Sequence, residues 1–342
     1  MLMGLLRLLP PETAHALTIS ALKLGLGPSL KNKRDLRVML FGKEIRNPIG
    51  LSGGADKEAA VLPAWSKMGF GIVEAGTVTL YPRNGNPTPR MWRLATPARA
   101  VAPSGAERMA NKYNSLINWL GLPGPGLDPF IKNLAAFQTH PARKDLCVGA
   151  SIASPDSKLD EFKILARAVA PYVDYITLNA SCPNVAHDDH SLENTAASQI
   201  KSAKEGAGRI PVLVKLGPTH DITALERMVR AALSAGVDGF VATNTVPYSN
   251  SNLIDARRIA WPTHNGKEVG GYSGPQLLET SCWMVREIRK LVPATMPIIG
   301  VGGIQSGADA KHMLASGANA IQIYTGLIYK GPTLLDDIAL HL

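Results

Sequence analysis

Short apolar runs alternate with stretches of helical spacing along most of the chain after residue 47. The runs are continuously apolar, which is typical of strands buried on both faces of a parallel sheet. The stretches between them, such as DITALERMVRAALSAG (221–236) and GADAKHMLASGA (307–318), repeat apolar residues at helical spacing and end near a glycine. This pattern predicts eight strands, at residues 48–54, 70–78, 146–152, 175–181, 211–217, 239–245, 297–303 and 320–326.

Eight successive strand-then-helix units predict an α/β fold, the (β/α)8 TIM barrel, whose functional residues lie at the carboxyl ends of the strands. A doubly wound sheet is the alternative fold, but its GxGxxG fingerprint does not occur in the chain. We expect residues 37–342 to form the barrel and residues 1–36 to form a short helical extension.

The extension contains two candidate helices, one on each side of Pro10 and Pro11. Such a pair can lie in the interface of a lipid bilayer or pack against the body of the protein, and the pattern is consistent with both. No apolar stretch reaches the ~18 residues that a membrane span needs, and Arg7 and Glu12 interrupt any signal-peptide core. The candidate apolar faces are Leu5, Leu6, Leu8 and Leu9, and then Ala14, Leu17, Ile19, Ala21, Leu22 and Leu24.

Composition narrows the class of protein. Hydrophobic residues at 45% and charged residues at 18% are typical of a globular protein with a sizeable core. The net charge is +9, and residues 1–46, with eight basic and three acidic side chains, supply more than half of it. The basic residues are not interleaved with aromatic ones, so we expect no nucleic-acid partner.

Three cysteines without a CxxC pair are typical of a reducing, cytoplasmic setting. The sequence indicates no particular oligomeric state.

The predicted strands end in polar residues. Amides, hydroxyls and glycines dominate this set, and carboxylates are almost absent from it. Each residue has an alternative structural explanation, because glycine and asparagine favour turns and a lone lysine is usually solvated. Their convergence on one rim of a barrel nevertheless favours a binding site. The set comprises Gly53, Gly54, Lys57, Gly76, Thr77, Ser151, Asn179, Cys182, Asn184, Lys215, Thr243, Asn244, Thr245, Gly302, Gly303, Tyr324, Thr325 and Gly326.

This set of residues suits redox chemistry better than hydrolysis. GVGGI (300–304) and YTG (324–326) follow the seventh and eighth strands, where barrels commonly bind a phosphate. Lys215 needs an anionic or acceptor-rich partner, since a buried unpaired ammonium is costly. Paired acids and metal-ligand clusters are lacking in the sequence, so no metal is expected. A bound flavin requires a phosphate cradle, a cation near its ring, amides that orient a substrate, and a base.

Cys182 is the candidate for that base. It lies in LNASCPN (178–184), where Pro183 stops strand pairing, so we expect the thiol in a loop over the barrel mouth. A thiol whose pKa is lowered can act as a base or a nucleophile. The alternative is an inert buried cysteine, which is the interpretation that suits Cys147, inside a strand, and Cys282, inside a helix.

The sequence resembles the dihydroorotate dehydrogenase family nearly from end to end. The resemblance is densest in NPIGLSGGADK (47–57), MGFGIVEAGTVT (68–79), GNPTPRMWRL (85–94), LNASCPN, VLVKLGP (212–218), VATNT (241–245), GGYSG (270–274), IIGVGGI (298–304) and QIYTGLIYKGP (322–332). LPPETAH (9–15) resembles the N-terminal extension of the membrane-associated, quinone-linked class. The resemblance implies oxidation of dihydroorotate to orotate in pyrimidine biosynthesis, FMN as cofactor and quinone as final acceptor. It also implies a cytoplasmic protein bound peripherally to the inner face of the cell membrane.

The resemblance further implies roles for individual residues. Cys182 would take a proton from C5 of the substrate while a hydride leaves C6 for the flavin. His15 and Arg93 match positions near the quinone entrance. Substrate-binding positions are Lys57, Asn118, Asn179, Asn184, Asn244 and Thr245. FMN-binding positions are Gly53, Gly54, Thr77, Ser151, Asn179, Lys215, Thr243, Ser273, Gly274, Gly302, Gly303, Tyr324 and Thr325.

Four departures from the family pattern leave alternatives open. The quinone-linked class usually has serine where Cys182 stands, and Ser151 replaces an expected asparagine. The loop after the base reads VAHDDH (185–190), and an insertion within residues 96–116 leaves Asn111 and Asn114 as competitors of Asn118. Two other hypotheses are therefore an FMN-dependent enzyme for another dihydropyrimidine-like ring, and a non-catalytic flavin-binding module.

Overall fold

Eight parallel strands close into a barrel in the computed structural model, which describes residues 6, 8–29, 34–94, 114–179, 192–254 and 261–342. The barrel strands follow one another in chain order, and the last closes on the first, with Ile321 opposite Ile49. They are β3 (Ile49–Leu51), β4 (Ile72–Val78), β7 (Cys147–Ile152), β8 (Tyr175–Leu178), β9 (Val212–Leu216), β10 (Gly239–Ala242), β15 (Ile298–Val301) and β16 (Ala320–Ile323).

Helices cover the outside of the barrel and bury their apolar faces against the strands. Close packing of a helix on the barrel requires glycine at position 300 of β15, because an added Cβ would lie 2.4 Å from the side chain of Met313. The helices are α1 (Pro11–Lys23), α2 (Leu62–Met68), α3 (Leu127–Gln138), α4 (Leu159–Val169), α5 (Leu192–Ala207), α6 (Ile222–Ser234), α7 (Leu278–Leu291), α8 (Gly307–Ala315), α9 (Thr325–Lys330) and α10 (Thr333–His341). Short 3-10 turns occupy Pro141–Asp145, Ala170–Tyr172, Tyr248–Leu253 and Pro275–Leu277.

A hairpin closes the amino-terminal end of the barrel. Its strands, β1 (Val38–Leu40) and β2 (Lys43–Ile45), place Phe41 on the ring of Tyr175, with ring centroids 4.8 Å apart. Tyr175 fills the interior because the opposite residue, Gly149 of β7, has no side chain, and a Cβ there would lie 2.2 Å from the tyrosine ring. The barrel is therefore a packed core rather than a pore.

A small antiparallel sheet borders the opposite, carboxyl-terminal end. It comprises β5 (Met91–Leu94), β6 (Ser115–Asn118), β11 (Val246–Pro247) and β14 (Gly271–Ser273), in the order β11-β14-β6-β5. Its register pairs Asn118 with both Met91 and Gly271. A separate exposed hairpin joins β12 (Thr263–His264) to β13 (Lys267–Glu268).

The eight predicted barrel strands are confirmed, but every observed strand is shorter than predicted. The prediction was wrong for Thr325 and Gly326, which belong to helix α9 rather than to the eighth strand. Five strands, β3, β8, β10, β15 and β16, end before their predicted rim residues, whereas Thr77, Ser151 and Lys215 lie within β4, β7 and β9.

The second predicted N-terminal helix is observed as α1, while most of the first candidate lies outside the described residues. Pro11 is the first residue of α1, where the missing backbone N–H breaks no hydrogen bond of the helix. Ala14 and Leu22 of α1 are buried, and Leu22 packs into the core cluster of the barrel. Leu8, Leu17, Leu24 and Leu26 remain exposed, with Leu8 at 81% and Leu24 at 77% of full exposure.

Candidate active site

A cavity opens at the carboxyl ends of the barrel strands, between the barrel rim and the small sheet. Every described residue that sequence analysis assigned to substrate or FMN lines this cavity. Cys182 and Asn184 lie outside the described residues. The lining predicted residues are Gly53, Gly54, Lys57, Thr77, Asn118, Ser151, Asn179, Lys215, Thr243, Asn244, Thr245, Ser273, Gly274, Gly302, Gly303, Tyr324 and Thr325.

The cavity is electropositive. Among its described lining residues there is no Asp or Glu, whereas Lys57 and Lys215 both contribute ammonium groups. Burial lowers the pKa of Lys57, since removal from water disfavours its charged form. A ligand that carries a carboxylate or phosphate would restore the lost solvation of these cations.

Hydrogen-bonded amides run along one side of the mouth. Asn244 donates through Nδ2 to Oδ1 of Asn179 at 3.1 Å, and Asn179 donates through Nδ2 to Oγ1 of Thr77 at 3.0 Å. The Thr77 hydroxyl lies 2.9 Å from that of Ser151, and Asn244 Oδ1 accepts from the backbone N–H of Thr245 at 2.9 Å. Because the side chains orient each other, this row presents donors and acceptors in fixed positions to a planar ligand.

The opposite side of the cavity has the features of a phosphate cradle. Gly302 and Gly303 adopt φ values of +121° and +79°, which favour glycine. A Cβ on Gly303 would lie 2.3 Å from the backbone nitrogen of Leu278, so the close approach also requires glycine. Next to them, Thr325 donates through its hydroxyl to Ser273 at 2.9 Å, and burial raises the pKa of Tyr324 to about 12, so its phenol stays neutral.

A buried carboxyl group lies beneath the floor. Oε2 of Glu74 accepts from Thr177 at 2.8 Å, from Gln322 at 3.0 Å and from Tyr175 at 3.4 Å. Its Oε1 has no partner among the described residues and would lie 2.8 Å from a Cβ on Gly53, a lining residue. Glu74 is fully buried.

Sequence reasoning missed Glu74 and several lining residues. A signal was present for two of them, because Glu74 in IVEAG and Gln322 in AIQIY are polar residues within otherwise apolar strands. Apolar lining residues gave no such signal, since they read as ordinary core positions. The missed lining residues are Ser52, Met91, Leu116, Leu120, Leu122, Pro123, Leu277, Val301, Ile304, Gln305, Gln322 and Ile323.

The two predicted quinone-site residues lie at α1, outside the described lining of the cavity. Nε2 of His15 is 2.7 Å from the carbonyl oxygen of Ala55, so this nitrogen carries the proton. Arg93 on β5 donates to the carbonyl oxygen of Leu9 at 2.7 Å. Both side chains therefore connect the N-terminal segment to the walls of the cavity.

Of the competing asparagines, Asn118 lines the cavity, whereas Asn114 donates to Gln305 Oε1 at 3.4 Å and Asn111 is outside the described residues.

Cys147 and Cys282 are buried, as predicted from their positions in a strand and a helix. Within the described ranges, no group of three or more His, Cys, Asp or Glu side chains is arranged to hold a metal ion. Nor does any described helix combine the length and apolar character required to cross a bilayer.

A (β/α)8 barrel whose described cavity lining contains lysines, a glycine cradle and no Asp or Glu belongs to the class of barrels that bind anionic cofactors and substrates. A family model described as dihydroorotate dehydrogenase matches residues 35–342. The chain belongs to the dihydroorotate dehydrogenase family.

Individual relatives agree with this assignment. The dihydroorotate dehydrogenase (quinone) of Bordetella avium is 34% identical, over 95% of this chain and 91% of its own. That of Bradyrhizobium diazoefficiens is 36% identical, over 97% of this chain and 87% of its own. The crystal structure of the Eimeria tenella enzyme in complex with ferulenol superimposes with a TM-score of 0.79 at 27% identity, covering 97% of this chain and 90% of that one.

Proposed function

We propose that this protein oxidises dihydroorotate to orotate for pyrimidine biosynthesis, with FMN as the bound cofactor and a quinone as the final electron acceptor. The observation that supports it most directly is the cavity itself. Residues scattered along the sequence from position 53 to position 325 meet there in one electropositive, amide-lined space. Membership of the family supplies the identity of the reaction.

The donor set fits FMN. The glycine cradle at Gly302 and Gly303, together with the Thr325–Ser273 hydroxyl pair, would hold the phosphate. Apolar side chains such as Met91 and Leu277 offer surfaces for a flat ring system. Lys215 would stabilise the negative charge that the ring gains on reduction. When bound, FMN supplies the hydride acceptor for the reaction.

The protein side chains would bind and orient the substrate. Lys57 would pair with its carboxylate, and the row of Asn179, Asn244 and Thr245 would hydrogen-bond the ureide edge of the ring, together with Asn118. Such fixed contacts align C6 for hydride loss without requiring the amides to reorganise.

We assign the base to Cys182 from its sequence context, since its thiolate would remove the proton from C5. Asn184 would be a further substrate contact from the same segment. Both assignments rest on LNASCPN and on the family resemblance.

We also propose that residues 1–36 form the quinone-linked extension and hold the protein peripherally on the inner face of the cell membrane. Four exposed leucines, Leu8, Leu17, Leu24 and Leu26, lie on or beside α1, and eight basic residues occur within residues 1–46. Apolar side chains next to cations favour the interface of an anionic bilayer. His15 and Arg93 would line the route of the quinone head group.

An absorption spectrum tests the proposal. The purified protein should be yellow, should bleach when dihydroorotate is added without oxygen, and should regain its colour when a short-chain ubiquinone is added. Dihydrouracil, which lacks the carboxylate that Lys57 would bind, should bleach it far more slowly. A colourless preparation that does not take up FMN, or a flavin that dihydroorotate leaves oxidised, would refute the proposal.

A further inference from the structure

Helix α1 contacts both walls of the cavity through two side chains on the same face. Glu12 and His15 are three residues apart, which places them one above the other on a helix. Oε1 of Glu12 accepts from Nε of Arg90 at 2.8 Å, while His15 donates to the carbonyl oxygen of Ala55. The Glu12–Arg90 pair is mostly shielded, with side-chain exposures of 34% and 14%.

These contacts lead directly to lining residues. Arg90 precedes Met91, and Met91 lines the cavity and pairs with Asn118. Arg90 also donates to the carbonyl oxygens of Asn84 and Asn86. Ala55 lies two residues before Lys57. One turn of α1 therefore joins the loop that carries Lys57 to the hairpin that carries Asn118.

We propose that Glu12 is a positioning residue of the substrate site, which, paired with Arg90, sets the charge balance around Lys57 and thereby the strength of its contact with the substrate carboxylate. This inference rests on the proposed function. It gives α1 a part in binding dihydroorotate in addition to the part proposed for the extension in the quinone reaction.

The charges around Lys57 support this assignment. Burial lowers the pKa of Lys57, the carboxylates of Glu12 and Glu58 act in the opposite direction, and the guanidinium of Arg90 lowers it further. Glu58 is exposed, so water screens its effect, whereas the side chain of Glu12 is 34% exposed and accepts a hydrogen bond from Arg90. The pKa of His15 is lowered by burial and then by the charge of Lys57, so its ring stays neutral at neutral pH.

Two substitutions should therefore have opposite effects. Glu12→Gln removes a carboxylate and leaves Arg90 uncompensated, so Lys57 should lose its proton at a lower pH than in the parent. Arg90→Gln removes the cation and leaves Glu12 unpaired, so Lys57 should keep its proton to a higher pH. Neutral lysine cannot form a charge-assisted hydrogen bond to a carboxylate, so orotate affinity should follow its protonation.

The experiment is a titration of the FMN-loaded, oxidised full-length protein with orotate, followed by flavin absorbance, between about pH 6 and pH 10. We expect Glu12→Gln to bind orotate as well as the parent at the acidic end and roughly threefold to fivefold more weakly at the alkaline end. Arg90→Gln should extend tight binding to higher pH. The control is Glu205→Gln, which breaks an exposed pair with Lys163 remote from the cavity and should match the parent throughout.

The orotate affinity of each variant is compared with that of the parent at the same pH, so that the titration of orotate itself affects both equally. Identical pH curves for parent and Glu12→Gln, or shifts of both variants in the same direction, would overturn the inference while leaving the proposed function intact. An FMN-loaded parent that does not bind orotate at all would overturn the proposed function and the inference with it. If Glu12→Gln fails to fold, as judged by FMN content, Arg90→Gln alone tests the inference. Tight orotate binding that extends to higher pH in Arg90→Gln would support the inference, and an unchanged pH curve or a shift to lower pH would overturn it.

Discussion

The side-chain amide of Asn244 donates to the side-chain oxygen of Asn179 at 3.1 Å, which joins the end of β10 to the end of β8 across β9. Neither asparagine has to find its orientation when a ligand arrives. Asn179 is fixed from the other side by its bond to Thr77, and Asn244 by the backbone N–H of Thr245.

We therefore expect Asn244→Ala to weaken orotate binding about tenfold to a hundredfold, because one ligand contact is lost and Asn179 loses its orienting donor. FMN content should be retained, since the cradle on the opposite side is untouched. Flavin-monitored orotate titration measures the change. Asn250→Ala, outside the described lining of the cavity, is the control, and equal affinities for the two variants would contradict the proposed role of Asn244.

Gly303→Ala should prevent FMN retention. The residue has a φ of +79°, which costs a non-glycine residue about 1–2 kcal/mol, and its Cβ would meet the backbone of Leu278. Gly236→Ala is a matched control, since Gly236 also has a positive φ, of +82°, but open space around its Cβ position. Both variants should melt at lower temperature, and only Gly303→Ala should be purified without FMN. Equal FMN contents in the two variants would contradict the cradle.

Much of the fold was predictable because the strands are buried on both faces and therefore appear as uninterrupted apolar runs. The residues at their carboxyl ends, such as Lys215 and Thr243, could be assigned to one rim from topology alone. The small sheet over the mouth could not be predicted, because β5 and β6 are separated in the chain by residues 95–114 and β14 joins them from far along the chain. Long-range pairing of this kind leaves no local pattern.

The contacts of helix α1 illustrate the same limit. Its apolar spacing predicts a helix, but nothing in the spacing indicates that Glu12 meets Arg90 or that His15 meets the backbone of Ala55. The partner of Glu12 lies 78 residues away in the chain. Family resemblance supplied the positions of His15 and Arg93, whereas the part played by Glu12 follows only from the geometry.

Glu74→Ala should destabilise the barrel by about 2–4 kcal/mol, because the buried hydroxyls of Thr177 and Tyr175 and the amide of Gln322 lose their shared acceptor. Glu74→Gln keeps an acceptor of the same shape and should cost less. Urea unfolding at one fixed FMN concentration measures both, and the FMN dissociation constant of each variant, measured separately, allows the contribution of bound FMN to be subtracted. Glu205→Ala, at an exposed carboxylate, should leave the unfolding midpoint nearly unchanged, and a Glu74→Ala midpoint close to it would disprove the structural role.

The three cysteines should differ sharply in reactivity. Burial raises the pKa of Cys147, and burial raises that of Cys282 to about 11, so neither forms appreciable thiolate near pH 8. Iodoacetamide at about pH 8 should therefore modify Cys182 alone in the native protein, and bound orotate should protect it. Peptide mass spectrometry identifies the modified residue, and modification of Cys147 or Cys282 in folded protein would contradict their burial.

Substitution at Cys182 tests the chemistry directly. Cys182→Ala should slow flavin reduction by dihydroorotate by about 10²- to 10⁴-fold, since the proton at C5 then has no base. Cys182→Ser should retain part of the rate and shift its pH dependence upward, because a hydroxyl gives up its proton less readily than a thiol. Anaerobic stopped-flow spectroscopy measures both rates, and Cys147→Ala is the control for loss of a thiol elsewhere. If Cys182→Ala reduces the flavin as fast as the parent, another group removes the proton, and the assignment made from LNASCPN is wrong.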